Sequence, residues 1–309
     1  KPWFHKMEKI KLTFLGTGSS IPTARRNHPA MLISYKDENI LVDCGEGTQR
    51  QFRYARLNPC KITKILITHW HADHVLGIPG LLQTLMLNGY NKTLKIYGPE
   101  GTKRMMQLYV GLFAHRGDNF QIEVHEVEKK IVIDEKEFSI ESEKMDHDTP
   151  ARAYSFIIKE KSRIDKEKLK KLKIENSPLI GQLAAGKTVT IAGKKIDGKK
   201  LIYKEEGRKI TFIMDTRMNK EATSFAKDST LLVCESTYAA DEEEIAKEHG
   251  HLTSTQAGEI AKKSNSKKLI LTHLSQRYET KAQSKQILDE AKKVFKNSEI
   301  AEDLMSLEL

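Results

Sequence analysis

The stretch THWHADHVLGIPGLL, residues 68–82, places three histidines and one aspartate within six positions, in the pattern H-x-H-x-D-H. These four residues are His69, His71, Asp73 and His74. Imidazole nitrogens and carboxylate oxygens are ligands for zinc and similar divalent ions. A catalytic zinc normally takes about three protein ligands, so four neighbouring donors indicate more than one ion. The pattern therefore predicts a metal-dependent enzyme with a site for two metals.

The four donors lie between a predicted strand and a predicted helix. The run KILIT before His69 is short, apolar and rich in β-branched residues, as strands are, and VLGIPGLLQTLML after His74 has helical spacing. In α/β proteins, functional residues usually lie in the loop between a strand and the following helix, at the carboxyl edge of the sheet. We therefore expect the metal site at such an edge.

Strand-like and helix-like segments follow one another along the rest of the chain. The predicted strands include IKLTFLG, ENILVDCG, LKIYG, RKITFIMD, STLLVCE and KKLILTH. The predicted helices include GTKRMMQLYVGLFAHR, STQAGEIAKKSN and a segment with the apolar stripe Ile287, Leu288, Ala291, Val294 and Phe295. Two halves rich in strand–helix units predict an α/β fold in which two sheets are packed together with helices outside.

Length and composition set the general class of the protein. A chain of 309 residues, 39% hydrophobic and 30% charged, suits one large globular domain with an insertion. No apolar run approaches the roughly 18 to 20 residues that span a bilayer, so we expect no membrane partner. The three cysteines form no CxxC pair, which favours a reducing, cytoplasmic location. We expect residues 1–6 to be a remnant of cloning and residues 7–309 to form the domain.

Positive charge is concentrated in one segment. The net charge is +10, and residues 161–204 contain 13 Lys or Arg against four Asp or Glu, a difference of +9. The segment reads as an insertion, with the short amphipathic run KEKLKKLKI, the breakers Pro178, Gly181 and Gly186, and a possible hairpin. Such a block binds phosphates by releasing counterions, which predicts a polyanion partner; the alternative is a solvated surface with no partner.

The histidine-rich stretch resembles the signature of the metallo-β-lactamase fold, an αββα sandwich whose hydrolases hold a binuclear zinc centre. That resemblance calls for a later histidine, a bridging aspartate and a final histidine, each after a strand. The chain offers His147 in EKMDHDTPARAYSF, Asp215 in ITFIMDTR and His273 in LILTHLSQRY. The resemblance implies two ligand groups that share Asp215: His69, His71 and His147 for one ion, and Asp73, His74 and His273 for the other.

From residue 7 to about residue 280 the chain is similar to the tRNase Z family, endoribonucleases that remove the 3′ trailer of precursor tRNA. The motifs that carry the similarity are FLGTGSSIPTARRN, LVDCGEGTQRQ, THWHADHVLGIPGLL, MDTR and LTHLSQRY. The basic insertion, at about 161–204, falls where this family carries a flexible arm that grips the tRNA elbow. The resemblance therefore implies an inserted tRNA-binding arm, precursor tRNA as the partner and a homodimer.

The family also implies a chemistry for particular residues. Two Zn²⁺ per subunit, or Mn²⁺ or another divalent ion, would activate water to cut after the discriminator nucleotide, leaving a tRNA 3′-OH and a trailer 5′-phosphate. Asp73 would orient or deprotonate that water, and His251 with Glu235 would protonate the leaving oxygen. Apart from the family resemblance, Asp43 in VDCGEG is a candidate to orient a metal-ligating histidine, and the alternative is a turn residue at the end of a strand.

Weaker predictions concern RNA contacts. Arg26, Arg217 and Arg277 are candidates for phosphate contacts, and the arm residues Lys168, Lys170 and Lys171 are candidates for tRNA binding. The remaining histidines lack a ligand context, and we expect Trp70 to pack in the core.

The chain departs from the family at three places, one of which is the arm, where the usual Gly-Pro-rich pattern is thinned to KIENSPLIGQL. CEST, residues 234–237, stands where the family often has His-Glu-Ala-Thr, and Ala24 takes the lysine position of the loop PTARRN, which leaves the response to CCA-containing trailers open. A small-molecule phosphodiesterase or arylsulfatase-like hydrolase of the same fold stays an alternative, although it needs no basic arm. A non-catalytic RNA-binding scaffold is disfavoured because all seven metal ligands are present.

Overall fold

The structure is a computed structural model that describes residues 8–113, 121–174, 178–191 and 193–309. The presumed cloning remnant, residues 1–6, lies outside the described residues. The chain divides into two compact units. The larger unit consists of residues 8–134, 140–156 and 209–309, and the smaller unit includes residues 135–139 and 157–208. The basic segment 161–204 thus belongs to the smaller unit.

The described residues form eighteen strands and ten α-helices. The strands are β1 (Lys11–Gly16), β2 (Ala30–Tyr35), β3 (Glu38–Val42), β4 (Lys64–Leu66), β5 (Thr93–Gly98), β6 (Gln121–Glu126), β7 (Ile131–Asp134), β8 (Phe138–Met145), β9 (Ala151–Ile158), β10 (Lys161–Ile164), β11 (Thr188–Ile191), β12 (Lys194–Asp197), β13 (Ile202–Glu205), β14 (Arg208–Ile213), β15 (Leu231–Glu235), β16 (Leu269–Thr272), β17 (Ser298–Ile300) and β18 (Ser306–Glu308). The helices are α1 (Thr48–Tyr54), α2 (Ala72–Val75), α3 (Gly77–Leu87), α4 (Thr102–Phe113), α5 (Lys166–Lys171), α6 (Ile180–Ala184), α7 (Lys220–Phe225), α8 (Glu243–Glu248), α9 (Ser254–Lys263) and α10 (Lys281–Val294).

Two seven-stranded sheets carry most of these strands. The first sheet has the order β18-β1-β2-β3-β4-β5-β6, and the second has the order β17-β16-β15-β14-β9-β8-β7. Strands β3 to β6 pair in parallel, as do β14 to β17. Every residue of β4, β15 and β16 is buried, as expected of parallel strands that are covered on both faces.

The core of the larger unit shows how the sheets are layered. Because side chains alternate between the faces of a strand, Leu32 on β2 packs with residues of α1 and α3, while Met31 is buried on the opposite face. Across the sheets, the rings of Tyr35 on β2 and Phe156 on β9 meet edge to face, with centroids 5.8 Å apart. In the second sheet, Leu232 packs with α7, α9 and α10. The layers are therefore helix, sheet, sheet, helix, as the sequence predicts.

Some elements differ from the sequence-based expectation. The single helix expected from VLGIPGLLQTLML consists of α2 and α3, separated by Leu76. Residues 114–116 of the predicted helix GTKRMMQLYVGLFAHR lie outside the described residues. Strand β18 was not expected, and it pairs antiparallel with β1 across nearly the whole sequence. Close by, the Asp303 carboxylate accepts hydrogen bonds from Thr17 Oγ1 (2.7 Å) and the Asn27 amide nitrogen (2.7 Å).

The smaller unit has an apolar core of its own. Strands β10 and β13 form one antiparallel pair, and β11 and β12 form another, which is the hairpin suggested by the sequence. The Asp165 side chain caps α5, the helix predicted from KEKLKKLKI. The buried residues of this core are Leu169, Ile174, Leu183, Val189 and Leu201. The basic insertion is therefore a small folded unit rather than a plain loop.

One further property bears on the class of protein. Among the described residues, no helix combines the length and the apolar character needed to cross a bilayer.

Candidate metal centre

The predicted metal ligands follow the carboxyl ends of strands in the larger unit. They are His69 after β4, Asp73 and His74 within α2, His147 after β8, Asp215 after β14 and His273 after β16, with His71 immediately before α2. Loops at this edge connect buried, well-packed strands, which fixes the positions from which the side chains extend. The structure thus brings together all seven residues that the sequence singles out.

Asp215 lies between two groups of ligands. Its Oδ2 is 3.4 Å from His69 Nε2 and 3.9 Å from His147 Nε2. Its Oδ1 is 3.4 Å from His74 Nε2 and 3.3 Å from His273 Nε2. The side chains of His69, His71, His147 and Asp215 offer ligand atoms within 4.8 Å of one another, and so do those of Asp73, His74 and His273. One carboxylate oxygen therefore faces each group.

The residues fit divalent metal ions on two grounds. First, the donor set combines imidazole nitrogens with carboxylate oxygens, which suits zinc and related ions. Second, His69 Nε2 and Asp215 Oδ1 are buried and have no hydrogen-bond partner among the described residues. Buried polar atoms without partners are costly, and a bound cation would satisfy both. The site is a divalent-metal centre.

Four of the ligand imidazoles are held by hydrogen bonds from the ring nitrogen that faces away from the centre. In each case Nδ1 donates to an oxygen, which leaves the Nε2 lone pair directed at the ligand group. The four bonds run from His69 to Thr68 Oγ1 (3.1 Å), from His74 to Asp43 Oδ2 (2.7 Å), from His147 to the Gly250 carbonyl (2.9 Å) and from His273 to Thr237 Oγ1 (2.9 Å).

Asp43 and Gly250 each hold a ligand imidazole, Asp43 through its carboxylate and Gly250 through its carbonyl, and both have a positive φ. The fully buried Asp43 carboxylate also accepts bonds from the Thr68 amide nitrogen (2.7 Å) and Thr68 Oγ1 (2.8 Å). Asp43 has φ +56°, a left-handed conformation that aspartate tolerates better than most residues. Gly250 has φ +74°, and a Cβ there would lie 2.6 Å from His147 Nδ1. The contact of Asp43 with His74 agrees with the orienting role predicted for Asp43, and Gly250 holds His147 in the same way.

The protonation states of His69 and Asp215 in the ion-free site favour binding of a cation, whereas His74 must first lose a proton. Burial lowers the pKa of His69 well below its ordinary value, so this imidazole is neutral. Burial alone would raise the pKa of Asp215, but His273, His74 and His69 outweigh it and hold the pKa well below the usual range. At His74 burial is likewise outweighed, by Asp215 and Asp73, which raise its pKa well above the ordinary value. Cation binding at His74 therefore displaces a proton.

His251 and Glu235 form a pair at the edge of the centre. His251 Nδ1 is 3.1 Å from Glu235 Oε1 and 3.8 Å from Asp215 Oδ2. Glu235, at the end of β15, is fully buried and accepts bonds from the Thr216 amide nitrogen (3.0 Å) and Thr237 Oγ1 (2.7 Å). Burial opposes protonation of His251, but the Glu235 and Asp215 carboxylates outweigh it and raise its pKa to about 9. The ring can therefore hold a proton beside the ligands.

Arg217 connects the loop of His147 to the turn that carries Gly250. Its guanidinium donates to Asp148 Oδ1 (2.6 Å) and to the Lys247 carbonyl (2.9 Å), and its amide nitrogen donates to the Asp146 carbonyl (2.8 Å). These contacts favour a role in positioning His147, while the predicted RNA contact of Arg217 stays a prediction.

The other predicted RNA contacts lie in different surroundings. Arg26 is only 7% exposed, and its Nη1 donates to Thr17 Oγ1 and to the Ala301 carbonyl, both at 2.7 Å, which favours a structural role. Arg277 pairs with Glu242 and lies over the Tyr238 ring, 5.7 Å from its centroid. Lys168, Lys170 and Lys171 are exposed on α5, and Lys168 lies 3.7 Å from Asp165.

Sequence reasoning missed several residues that support the ligands. Thr68, Thr216 and Gly250 were not singled out, although Thr68 directly precedes a ligand and Gly250 directly precedes His251. Adjacency was the signal that could have found them. Trp70, expected in the core, packs against the Tyr109 ring (centroids 5.6 Å apart) and donates to Thr102 Oγ1 (2.9 Å).

Comparison with known proteins gives matches over the whole chain. A family model described as anti-Pycsar protein Apyc1 matches residues 10–172. The ribonuclease Z of Methanothermobacter thermautotrophicus is 37% identical over 303 residues, which cover 97% of each chain. The crystal structure of the short form of human tRNase Z superposes with a TM-score of 0.69 at 27% identity, covering 96% of this chain and 98% of that one.

A second solved structure supports the fold alone. YhfI from Bacillus subtilis, described as a metallo-β-lactamase fold protein, gives a TM-score of 0.70 at 20% identity and covers 98% of this chain and 100% of its own. The Apyc1 model matches slightly more than half of the chain, so the chain belongs to that family through residues 10–172. With a relative of 37% identity along nearly its full length, this metallo-β-lactamase-fold chain belongs to the ribonuclease Z family.

Proposed function

We propose that the protein is a metal-dependent endoribonuclease that removes the 3′ trailer of precursor tRNA. The cut follows the discriminator nucleotide and leaves a 3′-OH on the tRNA and a 5′-phosphate on the trailer. The observation that carries the proposal is that the seven ligands form two adjacent groups, with Asp215 between them, in a chain that matches ribonuclease Z over 97% of its length.

The ligand groups support two ions per subunit. His69, His71 and His147 would hold one ion, Asp73, His74 and His273 the other, and Asp215 would contribute one oxygen to each. With five imidazoles among seven ligands we propose Zn²⁺, and Mn²⁺ is the alternative. A pair of such ions supplies stabilisation of negative charge on phosphate oxygens and activation of water.

The side chains around the ions divide the proton transfers between them. Asp73 Oδ2 lies 3.4 Å from both His74 Nε2 and His273 Nε2, so this carboxylate is placed to orient water and accept its proton. On the other side, Glu235 accepts the Nδ1 hydrogen of His251. The proton that His251 gives to the leaving 3′ oxygen is therefore the one on Nε2.

The arm supplies a surface for RNA. Nine of its lysines are exposed and form no ion pair with other residues among those described: Lys166, Lys170, Lys171, Lys173, Lys187, Lys194, Lys195, Lys199 and Lys200. Unpaired lysines bind phosphates without regard to sequence, and structured RNA is recognised largely by shape and backbone. We assign tRNA binding to this unit.

The proposal includes a homodimer. Large exposed apolar side chains occur on helices α1, α3 and α4, among them Tyr54 (53% exposed), Leu87 (84%) and Leu112 (72%). We propose that these exposed apolar side chains form a protein–protein contact. Sedimentation equilibrium of the wild type and of a Leu87→Glu, Leu112→Glu variant measures the oligomeric state, and a variant as dimeric as the wild type would refute this surface as the interface.

The function is tested with a precursor tRNA labelled at its 5′ end and the zinc-loaded protein. We expect one cut directly after the discriminator nucleotide, mapped at nucleotide resolution. A variant with His71→Ala and Asp73→Ala serves as the control and should give no cut. No cut by the wild type, with bis(p-nitrophenyl) phosphate still hydrolysed, would move the protein to another class of hydrolase.

A small-molecule phosphodiesterase or arylsulfatase-like hydrolase of the same fold is the second candidate, because both ligand groups belong to the larger unit and none of the ligands comes from the arm. Removing the arm separates the two. Lys161 and Glu205 are paired neighbours on β10 and β13, so a short Gly-Ser turn can replace residues 162–204. We expect this variant to lose cleavage of precursor tRNA while it still hydrolyses bis(p-nitrophenyl) phosphate. Unchanged cleavage of precursor tRNA would refute the role of the arm.

A further inference from the structure

A cavity of about 650 Å³ lies beside the metal centre, within the larger unit. Its walls come from the loops that follow β5, β6 and β8, and the ligand His147 forms part of them. Cavities of a few hundred Å³ are typical of small-molecule sites. Anything bound here would lie next to His147, so the cavity can hold a part of the substrate that flanks the reacting phosphate.

Arg152 gives the cavity its distinctive chemistry. This arginine lines the cavity and is only 7% exposed. Among the described residues, no carboxylate lies within 4.0 Å of its guanidinium, and the guanidinium makes no hydrogen bond. Its backbone is fixed, since the Arg152 amide nitrogen donates to the Thr68 carbonyl (2.9 Å), directly before His69. The backbone of Arg152 therefore lies next to the strand end that carries His69, and its side chain lines the cavity beside His147.

A guanidinium without a counter-charge on the wall of a cavity indicates an anionic ligand. Arg152 as a residue is only 7% exposed, and a positive charge held in the protein without a counter-charge is costly. An anion in the cavity would remove that cost. The planar fork of donors matches the oxygens of a phosphate group, which makes phosphate the best-fitting anion.

Carboxylates also line the cavity and would repel a phosphate, but their surroundings limit that repulsion. Glu126 Oε1 is occupied by the amide nitrogens of Gly101 (3.0 Å) and Lys103 (3.1 Å), and Asp148 is paired with Arg217. Glu100 and Glu128 are exposed carboxylates of the lining, as is the paired Asp148. Exposed carboxylates are screened by water, and they can accept hydrogen bonds from the amino group of a base. A nucleotide fits this distribution, with its phosphate at Arg152 and its base toward the rim.

We propose that this cavity binds a nucleotide of the RNA trailer, with its phosphate paired with Arg152. The inference rests on the proposed function, which brings the scissile phosphate to the metal centre. The side on which the tRNA leaves is marked by His251, the proton donor to the 3′ oxygen, and His251 does not line the cavity. On this ground the cavity is assigned to the trailer side of the cut.

The test compares two product analogues as inhibitors of the zinc-loaded enzyme: uridine 5′-monophosphate (pU) and the 5′-phosphorylated dinucleotide pUpU. Both carry the terminal phosphate, and only pUpU has a second phosphate that can reach Arg152. Hydrogen bonds to a charged group are worth enough that we expect pUpU to inhibit the wild type at least about tenfold more strongly. Arg152→Met should abolish this preference, and Arg152→Lys should restore part of it.

Lys144→Met is the matched control, since Lys144 is a cation in the same cavity wall but is exposed. We expect it to keep the full preference for pUpU. An equal preference in the wild type and in Arg152→Met would overturn the proposal. If Arg152→Met does not fold, as judged by circular dichroism, a full preference retained by Arg152→Lys would overturn it, because lysine lacks the fork.

Two further readouts separate related explanations. If inorganic phosphate raises the melting temperature of the wild type but not of Arg152→Met, and pUpU has no advantage over pU, the site binds free phosphate and the trailer assignment is overturned. Mapping of the cut on precursor tRNA tests the proposed function by itself. Failure of that mapping refutes the function, whereas normal cleavage with an Arg152-independent preference for pUpU refutes only the cavity assignment.

Discussion

The metal centre and the arm use charged side chains in opposite ways. Around Asp215 the carboxylates and several imidazoles, such as those of His69 and His74, are buried and are held by hydrogen bonds of defined direction, such as that between Asp43 and His74. On the arm, lysines such as Lys170 and Lys199 are exposed and unpaired among the described residues. Buried, directed contacts act together, whereas exposed charges act nearly independently and are screened by salt. Substitutions should therefore have large, localised effects in the centre and small, additive effects on the arm.

The largest effect is expected for Asp215→Asn. The amide cannot offer an anionic oxygen to both ligand groups, so one or both ions are lost and kcat/KM for precursor tRNA falls by at least about a thousandfold. Steady-state kinetics and metal content by mass spectrometry measure the two quantities. Asp289→Asn, on the exposed side of α10, is the control and should change neither. A variant that keeps two ions and its activity would disprove the bridging role.

A smaller effect is expected for Asp43→Asn, which leaves the ligands themselves in place. The asparagine cannot accept hydrogen bonds from His74 and Thr68 with the strength of a carboxylate, so the imidazole loses its orientation. Loss of such a supporting partner typically lowers metal affinity about 10- to 100-fold. Titration of the metal-free protein with Zn²⁺ measures the affinity, and excess Zn²⁺ should restore activity. Unchanged affinity would mean that His74 is held by its backbone alone.

Arg217→Met tests which of two roles an arginine beside the metal centre has. It either positions a ligand, as the buried residues of the centre do, or contacts RNA phosphate, as the lysines of the arm do. As a positioning residue it should lower kcat by about tenfold through a displaced His147, with Arg217→Lys intermediate. A phosphate contact would instead weaken RNA binding and reduce the salt slope by about one. Kinetics and binding measured at several salt concentrations decide between them. A reduced slope with normal kcat would contradict the positioning role.

The smallest effects are expected on the arm. Lys170→Ala and Lys171→Ala should each weaken binding of precursor tRNA a few-fold, and together their effects should add. Each lost phosphate contact should reduce the salt slope by about 0.7 to 0.9. Binding assays over a range of salt concentrations measure both values. Lys285→Ala, an exposed lysine of α10 in the larger unit, is the control. If a single lysine substitution reduced kcat/KM for precursor tRNA as much as Asp215→Asn does, the expected contrast between large effects in the centre and small effects on the arm would be refuted.

The ligands of the metal centre can be predicted from the sequence, because they are residue types that are rare and that occur here closely spaced. His69, His71, Asp73 and His74 can be recognised without any structure, and the αββα fold follows from the family they indicate. Orientation is harder, because it depends on which atoms the fold brings together. Neither Thr68 nor Gly250 has a side chain that suggests metal chemistry.

Because orientation depends on the fold, the contacts of the arginines also could not be predicted from the sequence. An arginine in a motif gives no indication of whether its guanidinium points outward or into the protein. The RNA contact of Arg26 stays a prediction, and the structure adds that its Nη1 donates to Thr17 Oγ1 and to the Ala301 carbonyl, which belong to nearly opposite ends of the chain. Short strands such as β18 also escape detection, because three residues are too few to show a period and pairing with β1 supplies the stabilisation.

The pairing of β1 with β18 has a consequence for how the chain folds. Lys11 lies opposite Glu308, so this edge of the first sheet closes only when the two most distant segments meet. Contacts of such high sequence separation form late and slow folding. Until then β1 presents an unpaired edge that can join another chain. Nascent or truncated chains that lack residues 301–309 should therefore be prone to aggregation, even though every metal ligand has already been synthesised.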